Sequence, residues 1–267
     1  MEWKNTYNPF NSFKGLTYYD HYQKIMGWME GKNPLPPPVE CNLDPYAGCN
    51  LSCYFCITQR YLRTNPDEVG KMRKLPYEYI YRLIRFLSGW GVKGLCISGG
   101  GEPTLHPDLP SMIHQAVDRG LNVSLYTNGL IMNKEVAEAI ARCQWASVSV
   151  DAATRETYYK VKGADGFAKV CLNMCYLAGK LLDSKTFLTF RMVVLPENYQ
   201  EIFDACKLAK GLGFSGFHVR PVDFERQDIK GHRKLDLPIE EIKEQFDKCH
   251  ELETDTFKVF TVTHKFD

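Results

Sequence analysis

The sequence predicts an α/β protein on a mainly parallel sheet, and three observations lead there. Short apolar segments alternate along the chain with segments of helical periodicity, the pattern of repeated right-handed βαβ units. Glycines close several of the helical segments, as Gly120 and Gly213 do. A chain of 267 residues, 44% of them apolar, is long enough to bury one large core.

Residues 1–40 read as an N-terminal extension. A helix is expected over roughly Tyr18 to Glu30, and the linker Pro34-Leu35-Pro36-Pro37-Pro38 cannot continue it. The core follows over 41–267. Cys41 to Tyr46 is a short strand feeding a cysteine-rich loop. Tyr77 to Ser88 carries Ile80, Leu83, Ile84 and Leu87 at helical spacing. Val92 to Ser98 is a strand running into Gly99-Gly100-Gly101, and Asp108 is the expected N-cap of a helix ending at Arg119. Strand Leu121 to Tyr126 precedes helix Lys134 to Cys143, and strand Ala146 to Val150 precedes helical material to Leu182, interrupted near Gly163 and Gly166. Strand Phe187 to Leu195, helix Tyr199 to Leu212, strand Phe214 to Val219 and helix Ile239 to Leu252 complete the pattern, with Phe257 to Val262 a last strand. Six such units are too few for an eight-fold barrel. Periodicity leaves a partial barrel and a doubly wound sheet both open.

The net charge of +1 gives no electrostatic reason to expect nucleic acid or a membrane surface as partner. The start, Met1-Glu2-Trp3-Lys4-Asn5, lacks the apolar region of a signal peptide, and no apolar run approaches the ~18 residues of a spanning helix. A cytoplasmic location is expected. Ten cysteines in a reducing compartment point to metal binding and buried thiols, not to disulfides.

Cys49, Cys53 and Cys56 form a C-x3-C-x2-C pattern. Thiolates are soft ligands that select zinc or iron–sulfur clusters. Three clustered cysteines suit a [4Fe–4S] cluster with one iron free of protein. A zinc site completed by Cys41, or three buried free thiols, fits the same residues. One βα unit later stands Gly99-Gly100-Gly101-Glu102-Pro103.

The cysteine spacing and this Gly-Gly-Glu (GGE) segment together resemble the radical S-adenosylmethionine (radical SAM) superfamily, over roughly residues 41–265. The resemblance implies a partial (β/α)6 TIM-type barrel, with chemistry at the C-terminal ends of its strands. It implies that Cys49, Cys53 and Cys56 hold a [4Fe–4S] cluster whose open iron chelates the amino and carboxylate groups of SAM. Gly100, Gly101 and Glu102 match the segment that contacts the SAM amino group, and Phe55 matches the aromatic position near adenine. Polar groups at later strand ends are expected to hold the ribose and carboxylate: Asn128 in Thr127-Asn128-Gly129, Ser149 first and Asp151 second, the latter two on one face with Ser147 by alternation. Asn-Gly is equally a plain turn, and Asp151 equally a helix cap. Arg191 interrupts the apolar strand Phe190 to Val194 and needs an anion, either the SAM carboxylate or an internal partner. Arg220 invites the same two readings. Cys171 and Cys175 share a helix face, His106 reads as structural, and the run Lys230, His232, Arg233, Lys234 reads as solvated surface.

The implied activity is reductive cleavage of SAM to a 5′-deoxyadenosyl radical that abstracts hydrogen from a substrate, with flavodoxin or ferredoxin as reductant. The core looks most like the SPASM-type branch, many of whose members modify peptides or proteins. That branch carries further cysteine-rich sites after the barrel, which this chain, ending at Asp267, lacks, so a single cluster is expected. The rivals are a non-catalytic iron–sulfur carrier or redox sensor, which needs no GGE segment, and a zinc-stabilised interaction domain.

Overall fold

The computed structural model describes residues 19–65, 67, 74–222 and 237–262. The basic run Lys230, His232, Arg233 and Lys234 lies outside the described residues. Strands β1 (Glu40–Leu43), β2 (Gly94–Ile97), β3 (Asn122–Thr127), β4 (Trp145–Ser149), β5 (Phe187–Val194), β6 (Gly216–Pro221) and β7 (Lys258–Thr261) form one sheet. Their order in the sheet is their order in the chain, and every neighbouring pair is parallel. The helices are α1 (Tyr19–Met29), α2 (Ile57–Thr64), α3 (Tyr77–Trp90), α4 (Leu109–Asp118), α5 (Lys134–Ile140), α6 (Arg155–Lys162), α7 (Phe167–Lys180), α8 (Ile202–Gly211) and α9 (Ile239–His250).

Strand order decides between the two architectures. A doubly wound sheet reverses direction at a switch point. Here the order never reverses, so right-handed crossovers leave the helices on one face. The helices pack on their chain neighbours, α3 on α4, α4 on α5 and α8 on α9. The result is a partial barrel with β1 and β7 as its two edges.

Alternation sorts the strand residues into two layers. Leu95, Leu125, Val148, Phe190 and Val219 join Ile84, Ile113 and Ile202 of the helices in one core cluster. The opposite, inner face is largely polar, carrying Tyr126, Ser147, Ser149, Thr189, Arg191 and His218. At the N-terminal ends of the strands this face becomes aromatic. Trp145 meets the Tyr126 ring edge-on at 5.1 Å, and Phe187 meets Phe260 at 6.0 Å.

Several boundaries differ from the sequence expectation for local reasons. β1 stops at Leu43 and does not reach Tyr46, because Pro45 has no N–H for the ladder and the Asp44 carboxylate instead accepts from Ser98 Oγ and Gly100 N, each at 3.2 Å. Helix α2 went unforeseen: it begins directly after Cys56, with no side-chain cap to announce it. Asp108 occupies the N-cap position of α4 but its side chain caps nothing; Pro110 stands in the first turn instead. The break near Gly163 and Gly166 is as expected, with Gly163 at φ 69°. Helix α1 buries none of its residues.

Candidate active site

The loop carrying Cys49, Cys53 and Cys56 lies at the C-terminal mouth of the sheet, between β1 and α2, and two buried anchors hold it.

The first anchor is the GGE segment. A Cβ added to Gly101 would sit 2.2 Å from Gly48 O and 2.5 Å from Tyr46 O, so only glycine permits this approach of two backbones. The next amide, Glu102 N, donates to Gly48 O at 2.8 Å. The Glu102 side chain, 3% exposed, turns inward. Its carboxylate accepts from Thr104 N at 3.1 Å, Thr104 Oγ1 and Thr127 Oγ1 at 2.6 Å each, and Asn128 N at 2.7 Å. Burial pushes its pKa up, and those four hydrogen bonds oppose the shift. The segment thus ties β2 to the end of β3. Asn128 then reaches the cysteine loop, donating from Nδ2 to Asn50 Oδ1 at 2.6 Å with Cys49 Sγ at 3.9 Å.

The second anchor is a residue that the sequence did not single out. Lys162, the last residue of α6, is buried and paired with the buried carboxylate of Asp151. Asp151 has φ 61°, and its other oxygen accepts from Val193 N at 2.6 Å. Asn198 donates to Asp151 O at 2.9 Å. The Lys162 backbone carbonyl accepts from Ser52 N in the cysteine loop at 3.1 Å, and its ammonium lies 5.7 Å from the Phe55 ring centroid. Burial pushes the Lys162 pKa down, but Asp151 and the nearby Cys53 outweigh it, so the ammonium stays charged. Burial also pushes the Cys53 thiol up to about 11, against the opposing field of Lys162.

Two of the residues expected near the cofactor already have partners within the protein. The carboxylates of Glu102 and Asp151 are engaged inside the protein, Glu102 with four donors and Asp151 with Lys162 and Val193 N. Asp151 is not a helix cap, since Thr154 caps α6 through Thr157 N. The remaining expected residues stand at the mouth. Ser149, half-buried, pairs in register with Arg191, and its hydroxyl makes no hydrogen bond in the described protein. Arg191 has no ion pair among the described residues. Instead its guanidinium stacks 4.9 Å above the Tyr126 ring. A Cβ added to Gly100 would make only ordinary contact, with Thr58 at 3.6 Å, and the Gly100 amide donates to Asp44. Phe55 packs with Val161, Val193 and Leu195.

Residues 43–209 match the family model of the radical SAM superfamily. The chain belongs to this superfamily. Among its radical SAM relatives, the AdoMet-dependent heme synthase of Methanosarcina barkeri is 32% identical over 65% of this chain and 47% of its own. The subtilosin biosynthesis protein AlbA of Bacillus subtilis is 27% identical over 77% of this chain and 46% of its own. The chain thus spans about half the length of these relatives. Streptococcus suis SuiB has the same fold. Bound to S-adenosylmethionine, it aligns with a TM-score of 0.68 at 15% identity over 96% of this chain and 58% of its own. Bound to precursor peptide SuiA, it aligns with 0.69 at 16% over 91% and 53%.

Membership implies a [4Fe–4S] cluster and SAM, and the donor set fits them. The three thiols lie on one loop close enough to perturb one another, although no group of three ligands converges as a metal site among the described residues. Cys56 also holds the N-cap position of α2 with no side-chain cap, so first-turn amides are available to acceptor sulfur. Cys41 packs against the core in register with Leu95, on the helix side of the sheet, which disfavours it as a fourth ligand.

Two outcomes follow from the anchors. Lys162→Met leaves Asp151 buried and unpaired, and the free energy of unfolding in urea should fall by about 3–5 kcal/mol. The double variant Lys162→Met/Asp151→Asn should regain part of that loss; no recovery would mean the two charges do not act as a pair. Gly101→Ala forces two backbones apart and should cost about 1–3 kcal/mol in the same measurement, with lower iron retention after reconstitution.

Proposed function

We propose that this chain is the catalytic core of a radical SAM enzyme acting on a peptide or protein. Cys49, Cys53 and Cys56 would hold the cluster, leaving one iron for the amino and carboxylate groups of SAM. When bound, the cluster and SAM supply a 5′-deoxyadenosyl radical by reductive cleavage, and that radical abstracts hydrogen from the substrate. The electron would come from a flavodoxin or ferredoxin.

One observation carries the reading: a three-cysteine loop is pinned at the barrel mouth beside polar groups, among which the Ser149 hydroxyl has no partner in the described protein. The Ser149 hydroxyl is free for the cofactor, and Asn128, bonded to Asn50, brings its amide within 3.9 Å of Cys49 Sγ. Phe55 offers an apolar wall for adenine. The buried anchors keep the loop in place, and the surrounding barrel limits water and stray hydrogen donors. Gly101 and Glu102 serve the cofactor by fixing that loop, and Asp151 by fixing Lys162 beneath it. Peptide substrates are supported by the part AlbA takes in subtilosin biosynthesis and by the precursor peptide bound to SuiB.

Anaerobically reconstituted protein should be brown, hold about four irons per chain and, with a strong reductant, convert SAM to 5′-deoxyadenosine. Changing Cys49, Cys53 or Cys56 singly to Ala should abolish both colour and product. A variant that still cleaves SAM removes its cysteine from the ligand set. Ser149→Ala should weaken SAM binding by about 1–3 kcal/mol, read by equilibrium dialysis, with iron content unchanged.

A further inference from the structure

The inner face of β4 and β5 holds polar groups that the cofactor reading leaves without a use. Ser147 and Thr189 are register partners, both 0% exposed, and neither hydroxyl oxygen has a hydrogen-bond partner. Buried polar groups are nearly always paired, so two adjacent unpaired hydroxyls point to a ligand that pairs them. One step up the same strands stands Arg191, whose Nε is also buried and unpartnered. Arg191 itself is half-buried, and the described residues give its charge no anionic partner.

The direction of the guanidinium matters. Arg191 reaches from β5 across β4 to stack on Tyr126 of β3, and Tyr126 is the register partner of Ser147. The ring lies 4.9 Å from the guanidinium carbon, and Nε is left without a hydrogen-bond partner. An open N–H fork is the geometry that grips a planar carboxylate with two hydrogen bonds. Ser147 and Thr189 lie two residues below the rim, about 7 Å farther from the cysteine loop at the usual rise of a strand. A carboxylate chelating iron at that loop would be too high to meet them. Below them the face is closed by Trp145 and Phe187, so the group must enter from the mouth.

The charge around the site agrees. His218, in register with Arg191 on β6, has its pKa pulled down to about 3, by burial first and then by Arg191 and Arg220. It is neutral at physiological pH, so a bound anion meets no second titrating cation there.

We propose that Arg191, Ser147 and Thr189 form a carboxylate-binding subsite beneath the cofactor, and that the substrate presents an acidic group to it. This rests on the proposed radical SAM function, which would make the inner face the substrate chamber.

The test uses reconstituted holoenzyme loaded with SAM, dialysed to equilibrium against radiolabelled glutarate, with the uncharged glutaramide as control and SAM retention measured in parallel. Wild-type protein should bind glutarate saturably and glutaramide not at all. Arg191→Met should lose about tenfold or more in glutarate affinity, and Arg191→Lys, which keeps the charge without the fork, should lose less. Ser147→Ala/Thr189→Val should weaken glutarate binding about threefold or more without lowering the unfolding midpoint in urea, because the hydroxyls it removes are unpaired in the free protein. This double variant keeps the question open to test if Arg191→Met folds poorly. No saturable glutarate binding by wild type, equal binding of the diamide, or unchanged binding in the double variant would each overturn the subsite. Arg191→Met that loses SAM would assign the cation to the cofactor and overturn it too. Failure to assemble a cluster or cleave SAM would instead strike the proposed function, and it is read in a separate assay.

Discussion

Everything at the barrel mouth depends on the buried pair of Lys162 and Asp151. Taking two charges out of water costs several kcal/mol for each ion, and their attraction offsets this only when further hydrogen bonds satisfy them. Here the second Asp151 oxygen takes the Val193 amide, and the Lys162 ammonium has the Phe55 ring nearby. The pair therefore ties together the end of β4, the end of α6 and the upper part of β5. Through the Lys162 carbonyl and Ser52 N it also ties in the cysteine loop, which has no sheet partner of its own. The positive φ of Asp151 belongs to the same construction, since the carboxylate meets Lys162 from a backbone that non-glycine residues seldom adopt.

Glu102 plays the matching part on the other side of the loop. A glycine-rich segment ending in a carboxylate reads naturally as a ligand cradle, and its flexibility suits close approach. The close approach is real, but at Gly101 it is to the protein's own backbone at Tyr46 and Gly48. The carboxylate is turned away from the mouth into a nest of threonine hydroxyls and backbone amides. The GGE segment thus fixes the cysteine loop against β3, with Asn128 as the link. Anchoring of this kind holds side chains on an irregular stretch of chain in fixed positions.

The layout of the fold was legible because its signals are local. Strand and helix periodicities, the helix-closing glycines and the order of elements were all readable, whereas the strand order, which separates a partial barrel from a doubly wound sheet, was not. The cysteine spacing was legible for the same reason. What stayed hidden depends on contacts between distant segments. Lys162, followed by Gly163, looks like the exposed end of a helix, and lysine is rarely buried unless paired; nothing near it in sequence discloses the pairing. Asp151 was placed by alternation beside Ser147 and Ser149, but β4 ends at Ser149 and the left-handed turn at Asp151 redirects its side chain. Helix α2 escaped because its first residues follow a cysteine and carry no capping side chain.

The two faces of the sheet divide the work, and the division explains where polar residues are tolerated. On the helix side Phe190 packs between the rings of Phe214 and Phe217, at 5.4 Å and 5.7 Å, and a polar group there would be buried without a partner. One residue further, Arg191 occupies the other face, where a guanidinium is accommodated by stacking on Tyr126. A sheet built only for stability would fill that face with apolar side chains, as small barrels usually do. Ser147, Thr189 and Arg191 depart from that rule at adjacent register positions, and each leaves a buried polar atom unpaired. Stability lost in this way, concentrated on one face beneath the cysteine loop, is the physical mark of a surface shaped for something that enters it.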